Sequence, residues 1–369
     1  MLKRISVILL LSVFFSVRVC ALSENDISAE CAVLISEQTG TVLFAKNEHK
    51  SHSMASTTKI MTSIIAVESG KLLNEITVTD KMVNVEGTSM GLVAGDSISL
   101  HELVYGMLLP SGNDAANAAA VYLAGSTNDF SKLMNKKAAE IGMNHTSFVT
   151  ASGLDNENHF STAYDMALLG RYAVNNPEFL KVCSSVKANL SYGNPPYDRF
   201  LTNHNRLLRE YDGCLGIKTG FTKKSGRCLV SYAKRNGTGL IAVTLNDPDD
   251  WNDHRKLFDY GFEVVSSETV EFDIPESVSV VGGIKDSVCI AAENFCLENT
   301  NKNVSFVYCI PRFLYAPVKA GQIIGNIIIY LDSEVIGRVP VTATENTDYK
   351  KFKTESKSLS DKIKEYFYD

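Results

Sequence analysis

The rhythm of apolar and polar positions changes several times along this chain of 369 residues, and each change marks a different kind of structure. Residues 31–49, CAVLISEQTGTVLFAKNEH, hold two short β-rich runs, 31–36 and 41–45, on either side of Gln38-Thr39-Gly40, and so predict a hairpin. Over 56–68 the apolar residues Ile60, Met61, Ile64, Ile65 and Val67 fall at largely helical spacing, and Ser69-Gly70 supplies a stop. Ser56 is expected at the start of that helix. Helical patterns follow over 101–109, 113–124, 129–141 and 162–174. Around residue 214 the period shortens: CLGIKTGFT, RCLVSYAKR and GLIAVTLND read as strands, the last two joined by a turn at Asn236-Gly237-Thr238-Gly239, before a helix over 251–262. From about residue 268 short β runs alternate with Gly, Asp, Asn and Pro, which predicts a small all-β sandwich.

Strands at both ends of a segment with helices between them predict an α/β (α+β) unit, in which one sheet is assembled from both ends and the helices pack against and beside it. A cleft between sheet and helical lobe is the natural place for a site. The expected organisation is a leader over 1–21, a catalytic domain over 22–264, a β domain over 265–345 and a charged tail over 346–369. The leader carries Lys3 and Arg4, an apolar run over 5–17, and small residues at Val19 and Ala21, the pattern of a secretory signal peptide cut after Ala21. Arg18 is untypical there, so an uncleaved anchor stays open. In the tail, Leu359, Ile363, Tyr366 and Phe367 form one helical stripe, suited to peripheral contact with a membrane surface or to a solvated terminal helix.

Composition sharpens this only a little. At 45% hydrophobic and 21% charged the chain is an ordinary globular one, and a formal net charge of −6 argues against nucleic acid as a partner. Seven cysteines remain beyond Cys20, an odd number at irregular spacing that enforces neither a metal site nor a disulfide framework, although Cys289 and Cys296 could pair. No cofactor is implied. H-E-x-x-H and G-x-S-x-G are absent, and the seven histidines stand in polar sequence surroundings without a recognisable catalytic frame.

The chemistry is carried by three short motifs. In MASTTKIMTS, Ser56 and Lys59 stand three apart and would share one helical face. A serine hydroxyl needs a base, and a lysine serves if burial beside another cation, here Lys218, depresses its pKa. Taken alone this S-x-x-K favours the plainer reading of a capping serine and a solvated lysine. LLPSGNDAANA adds Ser111-Gly112-Asn113 ahead of a small-residue helix, and GIKTGFTKKSG adds Lys218-Thr219-Gly220 in a strand, where Gly220 would let another backbone approach. S-x-x-K, S-x-N and K-T-G, in that order, are the set of serine β-lactamases and penicillin-binding proteins.

With these motifs, and with MNKKAAEIGMNHTSF, ASGLDNENHFSTAYDMALL and NHNRLL, residues 31–262 resemble the low-molecular-mass penicillin-binding proteins, the serine-type D-alanyl-D-alanine carboxypeptidases. APVKAGQIIGNIIIYLD resembles the C-terminal domain that many members carry. The resemblance implies a penicillin-binding/β-lactamase-like domain with an antiparallel sheet, a peptidoglycan stem peptide ending in D-Ala-D-Ala as substrate, β-lactam antibiotics as covalent inhibitors, and a place outside the cytoplasm at the membrane or wall. It implies Ser56 as nucleophile, Lys59 as base and Ser111 as proton relay. Asn113 would hold Lys59 and the substrate amide, and Lys218 and Thr219, on the strand with Gly220, would meet the substrate carboxylate. The N–H groups of Ser56 and Phe221 would form the oxyanion hole. Some relatives carry a carboxylate-binding arginine after the last sheet strand; Arg255 does not fall convincingly at that place and is left outside the site. A β-lactamase of the same fold and a non-catalytic wall-binding protein are the alternatives. Against the first, no E-x-x-L-N segment lies between Asn117 and Lys218, and the second motif is S-G-N.

Overall fold

A computed structural model describes residues 22–300 and 302–351, and the chain divides into two compact units, one ending at Ser266 and the other beginning at Ser267. The expected leader and the stripe at Leu359–Phe367 lie outside the described residues.

The first unit opens on the hairpin β1 (Cys31–Ser36) and β2 (Val42–Lys46), after which α1 (Lys59–Glu68) enters the interior. Ser56 is not in that α-helix. It lies in a 3₁₀ turn, Ala55–Thr58, because the hydroxyls of Thr57 and Thr58 donate to the carbonyls of Met54 and Ala55 and tighten the chain one turn early. The lobe continues through β3 (Glu75–Thr77), α2 (Asp80–Val83), β4 (Ser97–Ser99), α3 (Leu100–Leu108), α4 (Asn113–Ala124), α5 (Thr127–Ile141), α6 (Ala163–Val174) and α7 (Pro177–Cys183). Five alanines of α4 are buried, and their small side chains let neighbouring helices come close. Hairpin β5 (Lys187–Gly193) and β6 (Pro196–Thr202) and the short α8 (Leu207–Glu210) lead back to the sheet, through β7 (Cys214–Thr222), β8 (Gly226–Arg235), β9 (Thr238–Leu245) and α9 (Asp250–Val264).

The sheet has the order β2-β1-β9-β8-β7 and is antiparallel throughout, so both ends of the segment do meet in it and β7 forms an open edge. β8 and β9 meet through Asn236 and Gly237, both at positive φ, the two-residue turn that matches strand twist. Every residue of β1 and β9 is buried because helices cover both faces. The alternation of a strand sorts them: Cys31, Val33 and Ile35 pack with Ile60 and Leu169 of the helical lobe, while Ala32 and Leu34 pack with Leu257 and Phe258 of α9.

The second unit holds β10 (Ser267–Val270), β11 (Ser277–Val281), β12 (Ser287–Ala292), β13 (Phe295–Glu298), β14 (Val304–Cys309), β15 (Phe313–Tyr315), β16 (Ile323–Leu331) and β17 (Glu334–Ala343). Six of them form one sheet, β14-β16-β17-β12-β11-β15, and β10 pairs with β13 as a second layer whose Phe295 ring lies over Gly337. Ile327, Ile329, Val339 and Val341 fill the core. No helix among the described residues is long and apolar enough to cross a membrane.

Candidate active site

Three elements of the first unit converge on one pocket of about 440 Å³: the 3₁₀ turn carrying Ser56, the Ser111 turn ahead of α4, and the edge strand β7. Ser56, Ser111, Thr219, Gly220 and Phe221 line it together with Thr88, His204, Arg227, Asp250 and Trp251. Lys59, Asn113 and Lys218 lie beneath, at 0%, 5% and 1% exposure.

Lys59 is the first residue of α1, so its stem points back along the helix toward the 3₁₀ turn. Its Nζ stands 2.9 Å from Ser56 Oγ, 2.7 Å from Asn113 Oδ1 and 2.8 Å from the Ser152 carbonyl oxygen. The Asn113 orientation is fixed from its other end, since Nδ2 donates to the Glu86 carbonyl at 2.7 Å. Burial, followed by repulsion from Lys218, holds the Lys59 pKa well below that of a free lysine, while Asp114 opposes the shift. A neutral amine has two N–H donors and one lone pair. Asn113 Oδ1 and the Ser152 carbonyl can only accept, so the two donors go there and the lone pair is left to face the Ser56 hydroxyl.

Ser111 adopts φ +66° between Pro110 and Gly112, which turns it out of the lobe and into the pocket. Asp114, on the first turn of α4, accepts from the amides of Met90, Gly91 and Leu92, and the Asn113 amide donates to the Thr88 carbonyl; these bonds clamp the 88–92 loop as one wall.

Strand β7 closes the other side. A Cβ on Gly220 would stand 3.0 Å from the Ser56 amide nitrogen and 3.1 Å from Ala55 Cβ, so the strand passes as near the Ser56 turn as a glycine permits. Lys218 Nζ donates to the Thr219 carbonyl at 2.9 Å, and burial brings its pKa down to about 7. Phe221, 66% exposed, stands at the pocket rim. Arg255 lies elsewhere, bonded to Glu210 and Asn252.

Several contributors carry no motif of their own. The Ser152 carbonyl is presented by a loop pressed so tightly on the Ser56 turn that a Cβ on Gly153, at φ +87°, would meet the Ala55 oxygen at 1.9 Å. His159, buried despite its polar neighbours in sequence, accepts from the Val149 amide at Nδ1, so its Nε2 carries the proton and donates to Thr58 Oγ1 at 2.8 Å, which braces the same turn. The run S-G-L-D and a histidine soon after it were the available signals. Arg227, whose place at the pocket no motif announces, reaches it through the pairing of β8 with Phe221 on β7.

Comparison with known proteins agrees with this geometry. The family model described as D-alanyl-D-alanine carboxypeptidase matches residues 18–249, and that of the penicillin-binding protein 5 C-terminal domain matches residues 254–349. The D-alanyl-D-alanine carboxypeptidase DacF of Bacillus subtilis is 31% identical, with 88% of this chain and 87% of the relative covered. DacC of Escherichia coli is 32% identical, with 88% and 85% covered. Among solved structures, penicillin-binding protein 5 of Haemophilus influenzae superposes with a TM-score of 0.63 at 27% identity over 89% of this chain and all of that one. The Streptomyces K15 DD-transpeptidase gives 0.62 at 29% identity over 66% of this chain and all of that one. The chain thus belongs to the serine-type D-alanyl-D-alanine carboxypeptidase family of low-molecular-mass penicillin-binding proteins, with the penicillin-binding protein 5 type of β domain at its C-terminal side.

Proposed function

We propose that this protein removes the terminal D-alanine from peptidoglycan stem peptides ending in D-Ala-D-Ala, and that β-lactams acylate the same serine. The observation that carries the reading is the lysine amine 2.9 Å from Ser56 Oγ, its donors occupied by Asn113 and Ser152. Lys59 takes the hydroxyl proton as Ser56 Oγ attacks the carbonyl between the two D-alanines. The tetrahedral oxyanion accepts from the backbone N–H groups of Ser56 and Phe221. Ser111 passes a proton to the departing amine, D-alanine leaves, and water attacks the acyl-enzyme. Asn113 holds Lys59, and Lys218 with Thr219 serves the substrate carboxylate. Residues 22–264 act as the catalytic domain, exported by the leader over 1–21 to the outer face of the membrane or the wall, and the tail over 346–369 makes peripheral membrane contact. A β-lactamase reading finds little support, because the carboxylate lining the pocket, Asp250, is engaged by Arg227 instead of facing Ser56.

The test is a fluorescent penicillin with mass spectrometry of the adduct, run beside an assay of D-alanine release from a D-Ala-D-Ala peptide. The expected result is one covalent adduct on Ser56, none on Ser56→Ala, and D-alanine release by the wild type. Rapid penicillin turnover without D-alanine release would make the enzyme a β-lactamase, and no adduct at all a binding protein.

A further inference from the structure

The second unit ends in an apolar surface that its own core does not use. Three segments meet at one end of its larger sheet: the Ala316 amide donates to the Val281 carbonyl, the Ile284 amide to the Asp348 carbonyl and the Lys350 amide to the Gly282 carbonyl, and Thr347 exchanges both backbone bonds with Val318. Their inward residues, Val280, Ala316 and Val318, are buried in a small core. Their outward residues are large and apolar: Ile284 is 66% exposed, Tyr315 71% and Tyr349 63%, with Val281 and Phe313 close to half exposed. Val281 and Tyr315 are partners across β11 and β15, and the rings of Phe313 and Tyr315 pack edge to face at 5.4 Å. Apolar residues scattered singly are ordinary on a surface, but five on three adjoining segments make a patch that calls for a partner.

Shape and charge select that partner. Strand β15 is three residues long and is flanked by Pro311 and Pro317, so an added peptide strand finds little backbone to pair with. Segments 281–286, 312–319 and 345–351 carry five exposed cations, Lys285, Arg312, Lys319, Lys350 and Lys351, against three carboxylates, Asp286, Glu345 and Asp348, a local balance of +2 in a chain whose formal charge is −6. A second copy seated face to face would set these cations against each other. An anionic bilayer attracts them, and tyrosine with aliphatic neighbours is the composition that settles at headgroup level. The stretch carrying Leu359, Ile363, Tyr366 and Phe367 follows from Lys351 at this same end, so a tail drawn to a membrane brings this surface with it.

We propose that this end of the second unit, built on Ile284, Tyr315 and Tyr349, docks on the surface of a bilayer containing anionic lipid, as a second point of attachment beside the tail. This rests on the reading that places the chain peripherally at the outer face of the membrane. The test uses the mature chain, residues 22–369, carrying Tyr315→Trp; the sequence has one other tryptophan, Trp251, whose signal the wild type supplies. With vesicles of phosphatidylglycerol mixed with phosphatidylcholine, the added emission should shift to the blue and be quenched when the acyl chains are brominated, and both effects should weaken in phosphatidylcholine alone or at high salt. Ile284→Ser combined with Tyr349→Ser should lower the vesicle partition coefficient at least about tenfold, the effect of returning roughly one large apolar side chain to water. Vesicle binding with the reporter still in water would leave the tail as the sole contact and overturn the proposal, as would an unchanged partition coefficient. A blue shift that needs only more protein and no vesicle would mean that a second copy covers the patch, which also overturns it. No binding to either vesicle would overturn the peripheral reading itself, on which the proposal stands.

Discussion

Lys59 illustrates how one residue's chemistry depends on what its neighbours are unable to do. Its amine touches three oxygens, and two of them can only accept, so the neutral form is oriented with its lone pair on Ser56 before any substrate arrives. Asn113→Asp tests that arrangement. A carboxylate 2.7 Å from Nζ would stabilise the ammonium and raise the Lys59 pKa, so the acidic limb of the pH profile for penicillin acylation should move to higher pH, with a loss at pH 7 that approaches about tenfold for each unit moved once the limb lies above that pH. An unmoved limb would mean that another group sets it. At this scale the polar side chains of the pocket are legible in sequence because S-x-x-K, S-x-N and K-T-G hold them at fixed spacings. The carbonyls of Ser152 and Glu86 are not, since every residue has one and only the fold aims it. Arg227 is not either: it comes to the pocket through strand pairing with Phe221 and an ion pair with Asp250 across 23 residues of chain.

Between elements, the decisive contact is that of edge strand β7 with the Ala55–Thr58 turn. Gly220 is there because the two backbones approach within the radius of a methyl group. Gly220→Ala should push strand and turn apart by a few tenths of an ångström; displacements of that size in a reacting pair cost about tenfold in rate, read as penicillin acylation, while circular dichroism and Tm stay close to the wild type. Unchanged acylation would show that the turn gives way without disturbing Ser56. Gly153 stands in a harsher place, and alanine there would meet the Ala55 carbonyl at 1.9 Å while forced to a left-handed φ, so the same substitution should cost folding itself. Strands β7 to β9 are readable in sequence because each is a short β-rich run and a turn of Asn236-Gly237 divides two of them. Helix α1 is misread at its start because threonine hydroxyls bonding backward tighten the turn without altering the apolar spacing. Hairpin β5–β6 is unread for another reason. Its strands are mostly solvated, and it is fastened by Arg199, stacked 4.3 and 4.1 Å from Tyr192 and Tyr197 and bonded to the Gly91 carbonyl, a signal with no period.

At the scale of the whole molecule, the shift from helical to β-rich composition near residue 268 made a second unit legible, and strands flanking a helical middle made the first sheet legible. The titration behaviour of the folded chain was not, because it depends on which histidines the fold buries. Burial brings the pKa of His159 to about 4 and that of His254 to about 3, against an ordinary value of 6.5, so both stay neutral in the native protein while the unfolded chain protonates them. Their contribution to stability is therefore complete above pH 6.5 and is lost as pH falls toward the folded values. Asp247 works in the opposite direction: burial raises it to about 6 from 3.8, so between those values the native state holds the extra proton. Of these three groups two favour the unfolded state and one the native as pH falls, so together they make stability rise as pH rises between about pH 4 and 6. Urea unfolding across that range should show a midpoint that climbs with pH. His159→Asn, though less stable overall, should remove one of the titrating groups and make the slope shallower over the same window. A slope unchanged by that substitution would place the acid sensitivity elsewhere.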